Sequence, residues 1–262
     1  MAKTQRKKIG IALGSGGARG FCHIGVLQVL EENNIPIDCI SGCSMGSIVG
    51  GCYCAGVPLE KLKSVAEKIN QSVVLDINIS YSKCGLVKGR RAINVIKPLI
   101  GEINIEECPI PFRATATDVR SGTLKVFDSG KVIDAMRASM SIPVAFHAVS
   151  SGNEILVDGG ILERIPIDCC KEMGADVVIA VDALGGVPST DFEPNGLFGM
   201  LERSYLLMDW QNCRENIKKA DLVIVPEQGN RSTYRFKDNA YSIECGRIAA
   251  EEMLPQIFEV IA

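Results

Sequence analysis

Three short stretches of this sequence have residue types and spacings that could do chemistry. Gly42-Cys43-Ser44-Met45-Gly46 is a G-x-S-x-G motif, with an apolar run before it and small residues after it. That context suits a strand-to-helix elbow, which holds a serine on a strained turn. The residues two places either side must be tiny, because strand and helix approach there. Ser44 would then sit at a helix N-terminus, where backbone N–H groups favour developing negative charge. Asp158-Gly159-Gly160 follows a short apolar stretch and offers an acid beside glycines, although a plain turn also reads this way. Gly14-Ser15-Gly16-Gly17-Ala18-Arg19-Gly20 follows a short apolar run and opens a helical pattern.

Two functions compete for the glycine loop. A dinucleotide fingerprint needs G-x-G-x-x-G or Ala, and counting from Gly14 puts Arg19 where a small residue belongs. A P-loop is absent, since no Gly-Lys-Ser/Thr follows. The other reading is an oxyanion hole, in which consecutive backbone N–H groups point at one oxygen. Arg19 would add positive charge nearby or anchor the loop.

A serine nucleophile ordinarily takes its proton acceptor from histidine. The chain has only His23 and His147; the first precedes Ser44 and the second lies in an apolar context before Asp158. The order Ser, acid, His cannot be completed with Asp158 as the acid. A carboxylate can serve instead if it takes the proton as the new C–O bond forms, and burial helps by raising its pKa. Asp158 is the candidate.

The elements that must position these groups alternate along the chain. Apolar runs at 8–13, 37–41, 112–119, 123–127, 154–157, 176–181 and 221–225 read as strands. Helical patterns at 19–33, 44–55, 58–70, 91–100, 131–139, 166–173 and about 243–260 fall between or after them, and 71–90 reads as an irregular loop or lid. Alternation of this kind predicts an α/β fold whose mostly parallel sheet is covered on both faces. At 262 residues, with no linker or repeat, a single domain over 1–262 is expected. The uncharged stretch from Cys39 to Leu59 is long enough to span a bilayer, but its five glycines favour strand, turn and buried helix.

Composition narrows the function classes. With 47% hydrophobic and 23% charged residues, disorder and coiled coil are excluded, and a net charge of −3 argues against nucleic acid as a partner. The eleven cysteines have no C-x-x-C spacing: Cys52 and Cys54 are too close together, Cys169 and Cys170 are adjacent, and no histidine lies near. They read as free thiols in a reducing compartment. The basic start at Lys3, Arg6, Lys7 and Lys8 leads into too short an apolar run for a secretory signal. A cytoplasmic protein, in part peripheral to the membrane, is expected. The helical stretch from Gly196 to Trp210 carries Leu197, Met200, Leu201, Tyr205, Leu206, Leu207 and Met208. It reads either as a core helix or as one that faces lipid or a partner.

Taken together, the glycine loop, the G-x-S-x-G motif and Asp158-Gly159-Gly160 resemble the patatin-like phospholipase family. Arg137-Ala138-Ser139-Met140-Ser141-Ile142-Pro143 through Phe146, and His23-Ile24-Gly25, add to the resemblance, which runs from about 8 to 185. Order and spacing make it more specific than any one motif. It implies a three-layer α/β sandwich and a Ser44–Asp158 dyad. It also implies an oxyanion hole from Gly16, Gly17 and Ala18, supported by Arg19, Gly42, Gly46, Gly159 and Gly160. The implied activity is a serine acyl hydrolase acting on carboxylic esters of lipids, with no metal and no organic cofactor. One departure is Ser15, where the family usually has the first of three glycines. The alternatives are a nucleotide-binding protein using the glycine loop and a low-turnover regulatory protein on the same fold.

Overall fold

The computed structural model describes residues 6–74, 87–143, 145–186, 193 and 196–262. In chain order, β1 (Ile9–Leu13) leads through a 3-10 turn at Gly17–Phe21 into α1 (Cys22–Glu32). β2 (Cys39–Cys43) is followed by α2 (Met45–Cys54), α3 (Leu59–Lys68), the single turn α4 (Gln71–Val74) and α5 (Arg90–Ile100). Next come β3 (Phe112–Asp118), β4 (Thr123–Phe127), α6 (Val132–Ser139), β5 (Val149–Ser151) and β6 (Glu154–Asp158). The remaining elements are α7 (Ile167–Glu172), β7 (Val177–Val181), α8 (Gly196–Asn216), β8 (Leu222–Ile224), α9 (Asn239–Glu252) and α10 (Leu254–Ile261).

The described strands form one eight-stranded sheet in the order β5-β6-β3-β2-β1-β7-β8, with β4 also paired to β3. β3, β2, β1, β7 and β8 are parallel neighbours, while β4 and β6 pair antiparallel to β3, as does β5 to β6. The strand period of two splits the core between the sheet's faces. Ile9, Ile11 and Leu13 of β1 and Val177, Ile179 and Val181 of β7 join one cluster with α1, α2, α3 and α9. Ala12, Val178 and Ala180 point the other way, onto Ile167 and Cys170 of α7 and Cys213 of α8. The result is three layers, as the resemblance implies. Each fully buried isoleucine here contributes about 2–3 kcal/mol by leaving water.

Most expected elements form within a few residues of their predicted bounds. The stretch from Cys39 to Leu59 folds as β2, turn and α2, and among the described residues no helix is long and apolar enough to cross a membrane. Three corrections are needed. The C-terminal helix is two, because Pro255 has no N–H to continue α9 and instead opens α10. Gln71–Val74 is helical within the stretch expected to be irregular, and 75–86 of that stretch lie outside the described residues. β5 was not anticipated; it is three residues long and mostly serine.

Candidate active site

The sheet register brings the motifs together. Cys43, the last residue of β2, stands opposite Thr115 of β3. Asp158, the last residue of β6, stands opposite Ala116, the next residue of β3. Ser44 and Asp158 therefore flank β3 at one level, at the carboxyl end of β2.

Ser44 occupies the elbow with φ +53° and ψ −121°, a left-handed conformation that costs a non-glycine residue about 1–3 kcal/mol. The surroundings hold it there. Its N–H donates to Ser139 Oγ at 2.8 Å, and its carbonyl accepts from Ser47 Oγ at 2.7 Å. Gly42 and Gly46 have the expected role. A Cβ on Gly46 would lie 2.1 Å from the Leu13 carbonyl oxygen, and one on Gly42 would lie 2.5 Å from that of Gly46.

Asp158 is buried, and its backbone N–H donates to the Ser141 carbonyl at 2.9 Å. Its Oδ1 accepts from Gly160 N–H at 2.8 Å, where the Gly159–Ile161 turn begins. Burial pushes its carboxyl pKa up to about 6, against hydrogen bonds from the Ser44 hydroxyl, the Gly160 N–H and the Cys43 thiol. A buried alcohol and a buried acid thus line one small cavity, with no histidine among its described lining residues.

The glycine loop runs beside this pair. Gly14 N–H donates to Val181 O at 3.0 Å and Ser15 N–H to Arg164 O at 2.9 Å, which fixes the start of the loop. Gly17 has φ +52°, and a Cβ there would come within 2.3 Å of the Thr233 carbonyl oxygen. The N–H groups of Gly16 and Gly17 have no acceptor among the described residues, whereas Ala18 N–H donates to Thr233 O at 2.8 Å. Arg19 anchors: its Nε donates to Ala183 O at 3.1 Å, and its carbonyl accepts from Gln228 Nε2 at 3.0 Å.

Neither histidine joins the pair. His23 is fully buried, and its Nε2 lies 2.8 Å from the Gly14 carbonyl oxygen, pinning the glycine loop from below. Burial holds its pKa down at about 4, so the ring is neutral at pH 7. His147 lines none of the cavities that contain Ser44; its backbone bonds to Val87 and Arg137.

Two cavities meet at Ser44. One, of about 40 Å³, holds Ser44, Asp158, Gly16, Gly17 and Tyr205. The other, of about 80 Å³, is almost wholly apolar, with walls from Phe21, Met45, Ile48, Ile96, Met140, Ile142, Phe146 and Phe236. Phe236 meets Phe21 edge to face at 6.2 Å between ring centres.

Several participants were not singled out by sequence reasoning. Ser139 lies within the stretch quoted for the resemblance but carried no assigned role. Tyr205 and Thr233 reach the site from α8 and from the segment before α9, where no motif marks them. α8 is held by a buried ion-pair cluster: Arg164 bonds Asp182 at 2.7 Å and Asp209 of α8 at 2.8 Å. Burial alone would lower the Arg164 pKa, but the two carboxylates outweigh it and keep the guanidinium charged. α8 also resolves the two readings of its sequence. Its inner side packs, yet Leu197 is 72% exposed and Met208 65%, with Met200, Leu201 and Leu207 also exposed.

Comparison with known proteins shows the family and the fold. The family model described as patatin-like phospholipase matches residues 11–170. The chain belongs to the patatin-like phospholipase family. It is 38% identical over 193 residues to an uncharacterized NTE family protein of Mycobacterium tuberculosis, covering 72% of this chain and 53% of that protein. It is 35% identical over 188 residues to lysophospholipase NTE1 of Cryptococcus neoformans, covering 70% of this chain and 12% of the fungal protein. The chain thus spans about half the length of the mycobacterial relative and a small part of the fungal one. Among solved structures, VipD from Legionella pneumophila superposes with a TM-score of 0.62 at 14% identity, covering 96% of this chain and 67% of VipD. Human GIVD cytosolic phospholipase A2 superposes at 0.53 with 10% identity, covering all of this chain and 60% of the human one. These two likenesses show the shared fold.

Proposed function

We propose that this member of a lipid hydrolase family cleaves carboxylic esters of lipids, in the manner of a phospholipase A or lysophospholipase, through a Ser44–Asp158 dyad and an acyl-enzyme. The observation that carries the reading is that the buried Ser44 and Asp158 side chains line one small cavity, where the Ser44 hydroxyl lowers the Asp158 pKa against the effect of burial. Asp158, with a pKa of about 6, is ionised at neutral pH yet basic enough to accept a proton as Ser44 Oγ attacks the acyl carbonyl. The N–H groups of Gly16 and Gly17 receive the oxyanion, a role supported by their place in the cavity with Ser44 and by their lack of an acceptor among the described residues. Ala18 could join them only by giving up Thr233 O. Asp158 then passes its proton to the leaving alcohol. Water attacks the acyl-enzyme with Asp158 again as base, which restores Ser44. The apolar cavity suits the acyl chain.

The exposed apolar stripe of α8 supports transient contact with a lipid surface, since the same helix lines the reaction cavity with Tyr205 and Leu206. The ten described cysteines are free thiols, which supports a reducing, cytoplasmic setting. Ester turnover by the wild type, lost in a folded Ser44→Ala protein, tests the reading. Turnover retained by Ser44→Ala would end it.

A further inference from the structure

Gly160 lies two residues after Asp158, and the space that a side chain there would enter is bordered by oxygen. A Cβ on Gly160 would lie 3.2 Å from Asp158 Oδ1, 3.3 Å from Tyr205 Oη and 3.4 Å from Ser15 Oγ. A carboxylate, a phenol and an alcohol, from β6, α8 and the glycine loop, thus surround one point. All three residues line the cavity that holds Ser44, Gly16 and Gly17.

Arg164 fixes both hydroxyls in place. Its carbonyl accepts from Ser15 N–H at 2.9 Å, and its guanidinium pairs at 2.8 Å with Asp209, four residues along α8 from Tyr205. Burial, with the Asp158 and Asp209 carboxylates, raises the Tyr205 phenol above its ordinary pKa, so it stays protonated at neutral pH. Both hydroxyls can donate and accept, whereas an ionised carboxylate only accepts. One water can reach three oxygens spaced in this way, giving one hydrogen to Asp158 while the hydroxyls set its orientation.

The geometry points to Ser15 and Tyr205 as positioning residues for the water that hydrolyses the acyl-enzyme. The inference rests on the ester-hydrolase reading and adds to it how the second half of the reaction is served. Asp158 takes a proton from the held water as the water oxygen bonds to the acyl carbon, and the oxyanion forms against the glycine loop. The bond from that carbon to Ser44 Oγ then breaks. Oγ takes the proton back from Asp158, and the carboxylic acid leaves. Ser15 stands where the family usually has glycine, and Tyr205 lies beyond the residues that the family model matches, so neither belongs to the shared motifs.

p-Nitrophenyl butyrate separates the two half-reactions. Its leaving group needs no proton, so acylation is read in kcat/KM, and deacylation is read in kcat. Tyr205→Phe should lower kcat about tenfold, through a lost hydrogen bond to the water, and lower KM in proportion, leaving kcat/KM within about twofold of wild type. Rapid mixing should then show a burst of one nitrophenolate per active site, and intact-protein mass should show the butyryl adduct accumulating. Ser15→Gly should give the same split, which keeps the test sharp if Tyr205→Phe fails to fold. Gly160→Ala, whose methyl group would stand among the three oxygens, should do so without removing either hydroxyl. A fall of kcat and kcat/KM together, or no fall in either, would overturn the inference and leave the dyad standing. A wild type without ester turnover, or turnover retained by Ser44→Ala, would overturn the ester reading and this inference with it.

Discussion

Ser44 and Asp158 line one small cavity from either side of β3, the strand that lies between β2, which leads into Ser44, and β6, which ends at Asp158. No histidine lines that cavity among the described residues, so in the proposed mechanism the properties of the site depend on how Asp158 is solvated. Burial raises its pKa and the donors from Ser44, Gly160 and Cys43 only partly offset this.

That balance predicts the pH profile. The base must be ionised to act, and its pKa is about 6. The log of kcat/KM for a soluble ester should rise with unit slope below about pH 6 and flatten above it, with no inflection from a histidine. A profile flat down to pH 4.5 would mean that Asp158 is not the group being titrated.

The same shift predicts a stability trade. A carboxyl whose folded pKa lies above its unfolded value stabilises the fold while protonated and loses that contribution as pH rises through about 6. Asp158→Asn removes the buried charge. It should abolish turnover and yet stabilise the protein by roughly 1–3 kcal/mol above pH 7. The gain should shrink towards zero near pH 4. Urea denaturation at pH 4 and pH 8 reads the difference.

The motifs were legible because each lies where an apolar run ends in small residues. β1 leads into the glycine loop, β2 into the elbow and β6 into Asp158-Gly159, so local pattern and chemistry coincide there. The residues that complete the site could not be read that way. Ser139 caps the elbow N–H, and Tyr205 and Thr233 close the cavity, only because α6, α8 and the segment before α9 pack against the carboxyl end of the sheet. Pairings of this sort depend on tertiary contact, which a single sequence does not display. α8 illustrates the point: its apolar residues are split between an inner side and a solvent side, and composition alone cannot say which is which.

The Arg164–Asp182–Asp209 cluster should be a weak point if broken. Asp209→Ala leaves a buried guanidinium short of one partner, at a cost of about 3–5 kcal/mol. The chemical-denaturation midpoint should fall accordingly, and Tyr205, carried on the same helix, should become more exposed to solvent by fluorescence quenching. A loss below 1 kcal/mol would show that Arg164 is adequately held by Asp182.

The outward stripe of α8 predicts surface binding. Replacing Leu197, Leu201 and Met208 together with serine should reduce co-sedimentation with phosphatidylglycerol vesicles several-fold while leaving the thermal unfolding midpoint nearly unchanged, because all three side chains are already exposed. Unchanged sedimentation would move the contact to another face.

The most direct measurement on the dyad is labelling with a fluorophosphonate, followed by peptide mass mapping of wild type, Ser44→Ala and Asp158→Asn. A single adduct on Ser44 in the wild type, absent from Ser44→Ala and formed far more slowly in Asp158→Asn, is the predicted result. An adduct on another residue, or an unreactive Ser44 in a folded wild-type protein, would contradict the account and favour a role without hydrolysis.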